Sequence, residues 1–195
     1  IEPRIVVIDA ITNKKIENVI LEPKVKNRSR IHYLMANIEV AQMSGQDNWA
    51  LLLDEDGFIT EGTGDNFFIV KDKKVITPRG VHILRGISRD YVLEQLCEQL
   101  NLEKEEKDIE PYDVYTADEA FMTGTPFCVL PVFRFNETDI GNGKFGEITK
   151  KIIEKWSKNV GVDIIDQIKK YGKECGNMSQ PNTSTPYQFS SKNTY

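Results

Sequence analysis

The chain has 195 residues, 39% of them hydrophobic and 28% charged, which is typical of a globular protein with one good core. A formal net charge of −5 without a basic block argues against nucleic acid as the main partner. No apolar run is long enough to span a membrane, and no secretory signal is visible. The three scattered cysteines, Cys97, Cys128 and Cys175, lack metal-ligand spacing and suit a reducing, cytoplasmic compartment.

The first elements are two strands and a helix. Residues 4–9 predict a short buried strand, and residues 19–21 predict the start of a second one. Residues 29–42 predict a helix that ends at Gly45, because apolar side chains recur there at i, i+3, i+4 and i+7. The side chains expected on its buried face are Ile31, Leu34, Met35, Ile38 and Ala41.

Two hairpins follow the helix. Residues 49–53 form an apolar run that suits a strand buried on both faces, and the partner strand returns at residues 58–61. Gly57 can take the positive φ that the turn between these two strands needs. A second hairpin pairs residues 67–70 with residues 75–77, before Pro78 and Gly80 end it.

The second half of the chain alternates helices and strands. Ser88 is expected to cap a helix that runs from residue 89 to about residue 101. The acidic stretch 103–110 predicts a solvated connection, and residues 128–135 predict a further strand. The apolar residues that indicate a last amphipathic helix are Ile148, Ile152, Ile153 and Trp156.

Hairpin-joined strands together with several helices predict an α+β fold built on a mixed sheet. Residues 1–172 are expected to form one domain. Residues 173–195 are rich in Ser, Asn, Thr, Pro and Gln, and they predict a disordered tail. Because the chain begins with Ile rather than Met, we expect it to be a processed, truncated or excerpted piece.

Two local patterns point to a ligand. Glu61 ends the returning strand just before a glycine-rich corner, and residues 86–88, Gly-Ile-Ser, open a helix where an anion can sit on free backbone amides. One acid and one anion site in a small domain suit a ligand that carries both a basic nitrogen and a phosphate. Pyridoxal 5'-phosphate is such a ligand, and Lys26 lies upstream to hold it.

Several motifs occur in one order between residues 20 and 150. They are Lys26 before a helix, residues 61–68 (Glu-Gly-Thr-Gly-Asp-Asn-Phe-Phe), residues 84–89 (Leu-Arg-Gly-Ile-Ser-Arg), residues 117–121 (Ala-Asp-Glu-Ala-Phe) and residues 124–125 (Gly-Thr). In this order the chain resembles the larger, C-terminal domain of fold-type IV (class IV) pyridoxal-phosphate aminotransferases. That group contains branched-chain aminotransferases, D-amino-acid aminotransferases and aminodeoxychorismate lyases. The resemblance implies a mixed-sheet pseudo-barrel whose smaller N-terminal domain is missing.

The resemblance also implies residue roles. Lys26 would attach the cofactor as a Schiff base and carry a proton between the substrate α-carbon and the cofactor. Glu61 would face the pyridine nitrogen and keep it protonated. The backbone amides of Ile87 and Ser88 would bind the phosphate, and Gly86 would let it approach.

Three further residues complete the implied cofactor site. Thr125 would add a hydroxyl to the phosphate cradle, with Gly124 giving room. Leu84 would pack on a face of the pyridine ring, although an ordinary core position explains this leucine equally well. No metal ligand is expected.

The position of the lysine and of a family tyrosine leaves alternatives open. Lys24 or Arg28 could take the place of Lys26 under another choice of gaps. In branched-chain members a tyrosine that reaches the cofactor's ring oxygen commonly follows the lysine. Ile31 falls near that place here, so the role is not assigned to Tyr33, which lies further on.

The implied activity is transfer of an amino group between an amino acid, either branched-chain or of the D series, and a 2-oxo acid. The enzyme would be a cytoplasmic homodimer with small-molecule substrates. One alternative is a lyase acting on aminodeoxychorismate with the same cofactor. Another is a non-catalytic remnant that uses the fold for binding or dimerisation, although Lys26 and Glu61 are both intact.

Overall fold

The computed structural model describes residues 6–7, 22–26, 31–43 and 48–177. The strands in these ranges are β1 (Val6–Val7), β2 (Asn48–Trp49), β3 (Leu51–Leu53), β4 (Ile59–Gly62), β5 (Asn66–Lys71), β6 (Lys74–Pro78), β7 (Lys104–Lys107), β8 (Glu119–Gly124), β9 (Cys128–Val132), β10 (Arg134–Phe135) and β11 (Thr138–Asp139). The helices are α1 (Ile31–Ala41), α2 (Ile87–Tyr91), α3 (Cys97–Gln99), α4 (Pro111–Tyr115), α5 (Glu147–Val160) and α6 (Ile164–Asn177). A π-helical segment, Val92–Leu96, joins α2 to α3 without a break.

The described strands form two sheets. The larger sheet has the order β3-β4-β5-β6-β7, and β8 pairs with β5 and carries β9 on its other side. Its pairs are antiparallel except for β6 with β7, which run parallel. The smaller sheet has the order β11-β10-β1-β2, in which β1 runs parallel to both neighbours. This is the mixed-sheet α+β fold that the sequence predicts.

Strand β5 lies at the centre of the core because both of its faces are buried. Phe67 and Ile69 pack into one apolar cluster, while Phe68 and Val70 pack into another beneath the helices α2, α3 and α5. The rings of Phe68 and Phe121 stack with centroids 4.7 Å apart. The apolar run of β5 therefore holds the start of this strand, where the candidate site lies, in a rigid frame.

Helix α1 forms where the sequence predicts it, but its buried face differs from the prediction. Leu34 and Met35 were expected inside and are 49% and 50% exposed. Ala36 and Val40 are buried instead, and they pack with Leu52 of the sheet. The small side chains of Ala36 and Val40 let the helix approach the sheet closely. The positions of the larger apolar residues in the sequence do not show that this face is the buried one.

The stretch 103–110 was predicted to be a solvated connection, and this is wrong. Residues Lys104–Lys107 form β7, which pairs in parallel with β6 at the edge of the larger sheet. The strand carries charged, largely exposed side chains, which protect an edge from pairing with another chain. Its sequence consequently lacks the apolar alternation by which strands are recognised.

Other expectations differ in their outcome. Both hairpins and the last predicted helix are confirmed, and Gly57 has a φ of +89° in the first turn. The predicted strand 128–135 divides between the two sheets, as β9 and β10. Residues 19–21 and Gly45 lie outside the described residues. Helix α6 continues through residues 173–177, and the disorder of residues 178–195, which are not described, stays a prediction.

The carboxylate of Glu119 caps α5 from a neighbouring strand. It accepts hydrogen bonds from the backbone N–H of Ile148 and of Thr149, each at 2.8 Å, and from the Thr149 hydroxyl at 2.7 Å. A Cβ on Gly146 would lie 1.9 Å from the Glu119 carboxyl carbon, so glycine is required at this position. Glu119 thereby satisfies helix N–H groups that have no acceptor within the helix.

The substitution Glu119→Gln is expected to lower the free energy of unfolding by about 2 kcal/mol, because an amide leaves one of the donors facing an NH₂ group. Urea unfolding measures the change. The matched control is Glu147→Gln, which removes a charge from the same helix terminus at an exposed position and should cost no more than about 0.5 kcal/mol. Equal losses in the two variants would contradict the capping role.

Candidate active site

Glu61 is a buried carboxylate that accepts hydrogen bonds from Tyr33, Asn66 and Leu84. It lies in β4 with 3% of its surface exposed. Oε1 accepts a hydrogen bond from the Tyr33 hydroxyl at 2.8 Å. Oε2 accepts from the backbone N–H of Leu84 at 2.9 Å and from the side-chain amide of Asn66 at 3.3 Å. These donors suit an ionised carboxylate and give it one orientation.

Tyr33 is a site residue that the sequence reasoning left unassigned. Its hydroxyl reaches Glu61 across 28 residues of chain, which ties α1 to the end of β4. Tyr33 shares its helix face with Ala36 and Val40, the residues that α1 buries. That spacing of three and seven residues was the available signal, but the buried face has to be known before it can be used.

The loop between β6 and α2 contacts Glu61 and then leads into the helix. Leu84 donates its backbone N–H to Glu61, and Gly86 occupies the N-cap position with an extended conformation of φ −73° and ψ 140°. The prediction that Ser88 caps the helix is wrong, because α2 begins at Ile87 and no side chain caps it. The first bond of the helix runs from Asp90 N–H to the Gly86 carbonyl. The N–H groups of Ile87 and Ser88 therefore have no acceptor within the helix.

Gly124 and Thr125 stand at the end of β8, beside the start of β5. The register pairs Thr123 with Asn66, and the Asn66 side chain donates to the Leu84 carbonyl in the loop that precedes α2. Thr125 is exposed. A Cβ on Gly124 would lie 2.9 Å from the Phe127 ring, so this glycine makes room for the ring as the chain turns.

Lys26 makes no contact with the other predicted site residues through a hydrogen bond or ion pair within the described part of the chain. It ends the short segment 22–26, and its side chain is exposed. No hydrogen bond or ion pair joins Lys26 to another described residue. Lys24, its alternative, pairs with Glu22 at 3.5 Å. Arg28 lies outside the described residues.

Asp65 is a second buried carboxyl near Glu61. It is 6% exposed, and neither of its oxygens has a hydrogen-bond partner among the described residues. Burial, together with the charge of Glu61, raises the pKa of Asp65 to about 7. A Cβ on Gly62 would lie 2.1 Å from Asp65 Oδ1, so the glycine at this corner leaves the space that the carboxyl fills.

The residues present fit the two ends of pyridoxal phosphate. Glu61 is a fixed, buried acid of the kind that pairs with a protonated pyridine nitrogen, and the backbone N–H of Leu84 donates to it. The uncapped start of α2 offers N–H groups to a phosphate, and Ser88 brings a hydroxyl to the first turn of this helix. Among the described residues no His, Cys, Asp and Glu side chains are grouped so as to hold a metal ion, and no helix is long and apolar enough to cross a membrane.

Comparison with known proteins extends this assignment. Residues 7–135 match the family described as amino-transferase class IV. The "Probable branched-chain-amino-acid aminotransferase" of Aquifex aeolicus is 47% identical over 115 residues, which are 58% of this chain and 37% of that protein. The branched-chain-amino-acid aminotransferase of Pseudomonas aeruginosa is 36% identical over 135 residues, which are 69% of this chain and 43% of that protein.

Solved structures show the same fold. The branched-chain amino acid aminotransferase from Thermobaculum terrenum, crystallised in its PLP form, is 32% identical, with a TM-score of 0.74. The match covers 80% of this chain and 50% of that one. The chain thus spans half or less of the length of these relatives. On its sequence pattern, its fold and these relatives, the chain belongs to the class IV aminotransferase family.

Proposed function

We propose that the chain carries the cofactor-binding part of a pyridoxal-phosphate-dependent aminotransferase that acts on branched-chain amino acids. The observation that carries this proposal is the hydrogen bond from Leu84 N–H to Glu61, only three residues before the uncapped start of α2 at Ile87. It ties Glu61 of β4, the acid proposed for a ring nitrogen, to the short loop that ends at the N–H groups proposed for a phosphate. The names of the relatives support the branched-chain substrate class.

In this proposal Glu61 keeps the proton on the pyridine nitrogen. Hydrogen bonds from Tyr33, Asn66 and Leu84 hold the carboxylate in place, and burial removes competing water. When bound, the cofactor supplies a positively charged ring that withdraws electrons from the substrate α-carbon. The side chain of Leu84 would pack against the ring.

The phosphate would be bound at the start of α2. The N–H groups of Ile87 and Ser88 donate to it, and the positive end of the helix dipole adds to the attraction. Thr125 supplies a hydroxyl from the end of β8, and Gly124 lets the chain turn there. Gly86 holds the extended N-cap conformation from which the helix begins.

Lys26 would hold the cofactor covalently and move the proton at the substrate α-carbon. Both tasks need the neutral amine, which requires a site poor in water. Lys26 is exposed in the described structure, so we expect polypeptide outside the described residues to cover it. A homodimer of the full-length parent would provide such cover, with an amino acid and a 2-oxo acid as substrates.

Borohydride reduction after incubation with pyridoxal phosphate, followed by peptide mapping, tests the covalent step. The expected result is a pyridoxyl group on Lys26 that is abolished by Lys26→Ala, because no other amine would face the aldehyde. Lys24→Ala is the matched control and should keep the adduct. An adduct that persists in Lys26→Ala, or none with the unsubstituted chain, would contradict the proposal.

The reaction class is tested separately on the full-length parent. Transfer of the amino group from a branched-chain amino acid to a 2-oxo acid is the expected activity. Release of pyruvate from aminodeoxychorismate, without an amino acceptor, would instead identify a lyase. An adduct without either reaction would favour a non-catalytic remnant.

A further inference from the structure

Asn66 connects the two ends of the candidate site although it belongs to neither. It is the first residue of β5 and is 5% exposed. Its side-chain Nδ2 donates to Glu61 Oε2 at 3.3 Å and to the Leu84 carbonyl at 2.8 Å. The N–H of Leu84 donates to the same oxygen of Glu61 at 2.9 Å, so the three residues form a closed network.

The other end of the Asn66 side chain contacts the residue before α2. A Cβ built on Gly86 would lie 2.3 Å from Asn66 Oδ1 and 3.5 Å from Asn66 Cγ. Any larger residue at position 86 would therefore displace the amide that bridges Glu61 and Leu84. Gly86 and Asn66 lie twenty residues apart in the sequence and pack as one unit. The asparagine side-chain oxygen occupies the space that a Cβ on residue 86 would need.

We propose that Asn66 is a positioning residue that sets the separation between Glu61 and the first turn of α2. The inference rests on the proposed function, since these are the groups assigned to the ring nitrogen and the phosphate. A ligand with a stiff aromatic ring can use both ends at full strength only when the protein holds them at matching distance beforehand. Asn66 does this through its contacts with Glu61, Leu84 and Gly86.

The frame around Asn66 explains why this side chain can act as a spacer. Its backbone pairs with Glu61 of β4 on one side and with Thr123 of β8 on the other. The next residues of β5, Phe67 and Phe68, are fully buried on opposite faces of the sheet. The backbone of Asn66 is therefore fixed, and its amide transmits that position to the loop between β6 and α2.

The first test uses the chain without any ligand. Hydrogen exchange, followed by NMR, should show the Leu84 amide of Asn66→Ala exchanging about tenfold faster or more, because its acceptor Glu61 is no longer held. Amides of β8 should keep their rates. Asn159→Ala is the matched control, since Asn159 also donates two side-chain hydrogen bonds, to Tyr91 and Gln99. Unchanged exchange at Leu84 in Asn66→Ala would overturn the proposal.

A second variant guards against loss of the fold in Asn66→Ala. Gly86→Ala keeps the amide but pushes it away, so it should expose the Leu84 amide in the same manner. In the double variant the added methyl group enters the space that the asparagine leaves. Gly86→Ala should therefore lower the free energy of unfolding less in the Asn66→Ala background than on its own. If the effects of the two substitutions on the free energy of unfolding were strictly additive, the inference that Asn66 and Gly86 pack as one unit would be overturned.

The ligand test compares two probes. The first, 4'-deoxypyridoxine 5'-phosphate, spans both ends and needs no lysine, whereas inorganic phosphate uses only the helix end. Asn66→Ala should weaken binding of the first probe about tenfold or more and binding of the second less than about twofold. Equal weakening of both, or of neither, would overturn the positioning role. If the unsubstituted chain bound neither probe, the proposed function would fail, and the exchange test alone would still decide the role of Asn66.

Discussion

The variant Asp65→Asn should be more stable than the unsubstituted chain at about pH 8 and should lose this advantage at about pH 4. Asp65 is buried without a hydrogen-bond partner among the described residues, and the negative charge of Glu61 acts on it. Burial first and Glu61 second raise its pKa from 3.8 to about 7. Folding therefore holds a proton on Asp65 that the unfolded chain releases at a much lower pH.

The sign follows from the direction of this shift. A raised folded-state pKa contributes stability that is complete below about pH 4 and is lost as the pH rises through about 7. A shift of about three units corresponds to about 4 kcal/mol lost by about pH 8. Asp65→Asn does not lose this stability as the pH rises, because an amide does not titrate. It keeps an unsatisfied buried amide, which costs about 1–3 kcal/mol at every pH. The expected net gain at about pH 8 is about 1–3 kcal/mol.

Urea unfolding at several pH values between 4 and 8 measures this effect. Asp56→Asn, an exposed turn residue, is the control and should follow the pH dependence of the unsubstituted chain. A pH dependence in Asp65→Asn as steep as that of the unsubstituted chain would show that Asp65 is not the group that titrates.

Replacing Arg89 with methionine is expected to cost about 3 kcal/mol of the free energy of unfolding. The guanidinium is 3% exposed and donates from Nη2 to Glu106 and to the Pro78 carbonyl. Nη1 donates to Asp90 at 3.2 Å. These contacts join the start of α2 to β6 and β7, so the variant leaves a buried carbonyl unsatisfied and loosens the helix start.

Arg79→Met is the matched control for Arg89, because it breaks an ion pair of the same type at the surface. Arg79 Nη2 and Asp108 Oδ2 lie 3.2 Å apart, and the two side chains are 57% and 44% exposed. Loss of this pair should change the free energy of unfolding by no more than about 1 kcal/mol. Similar losses in the two variants, measured by urea unfolding, would refute the structural role given to Arg89.

Much of the fold could be predicted from local patterns because those patterns report strong local physics. The turn at Gly57 needs a positive φ, and the apolar run of β5 needs two buried faces. The edge strand β7 could not be predicted in this way. Its charged residues pair with β6 through the backbone, which carries no side-chain signal.

Some residues of the candidate site could likewise be predicted from the sequence, and others could not. Glu61 and the start of α2 were predicted from motifs whose residue types suit an acid and an anion site. Tyr33 and Asn66 were not assigned roles, because each acts through a partner far along the chain. The roles given to Lys26, Leu84 and Thr125 stay predictions until the cofactor is trapped and mapped.

The order of motifs along the chain was enough to identify the family and to single out Glu61, since both depend on residue types at fixed spacing. Only the tertiary structure decided which face of α1 is buried, that Gly86 rather than Ser88 takes the N-cap position of α2, and that Asp65 is enclosed without a hydrogen-bond partner among the described residues. The physical reason is that burial and hydrogen-bond pairing depend on contacts between distant segments. Such contacts select among side chains that look equivalent in a local pattern.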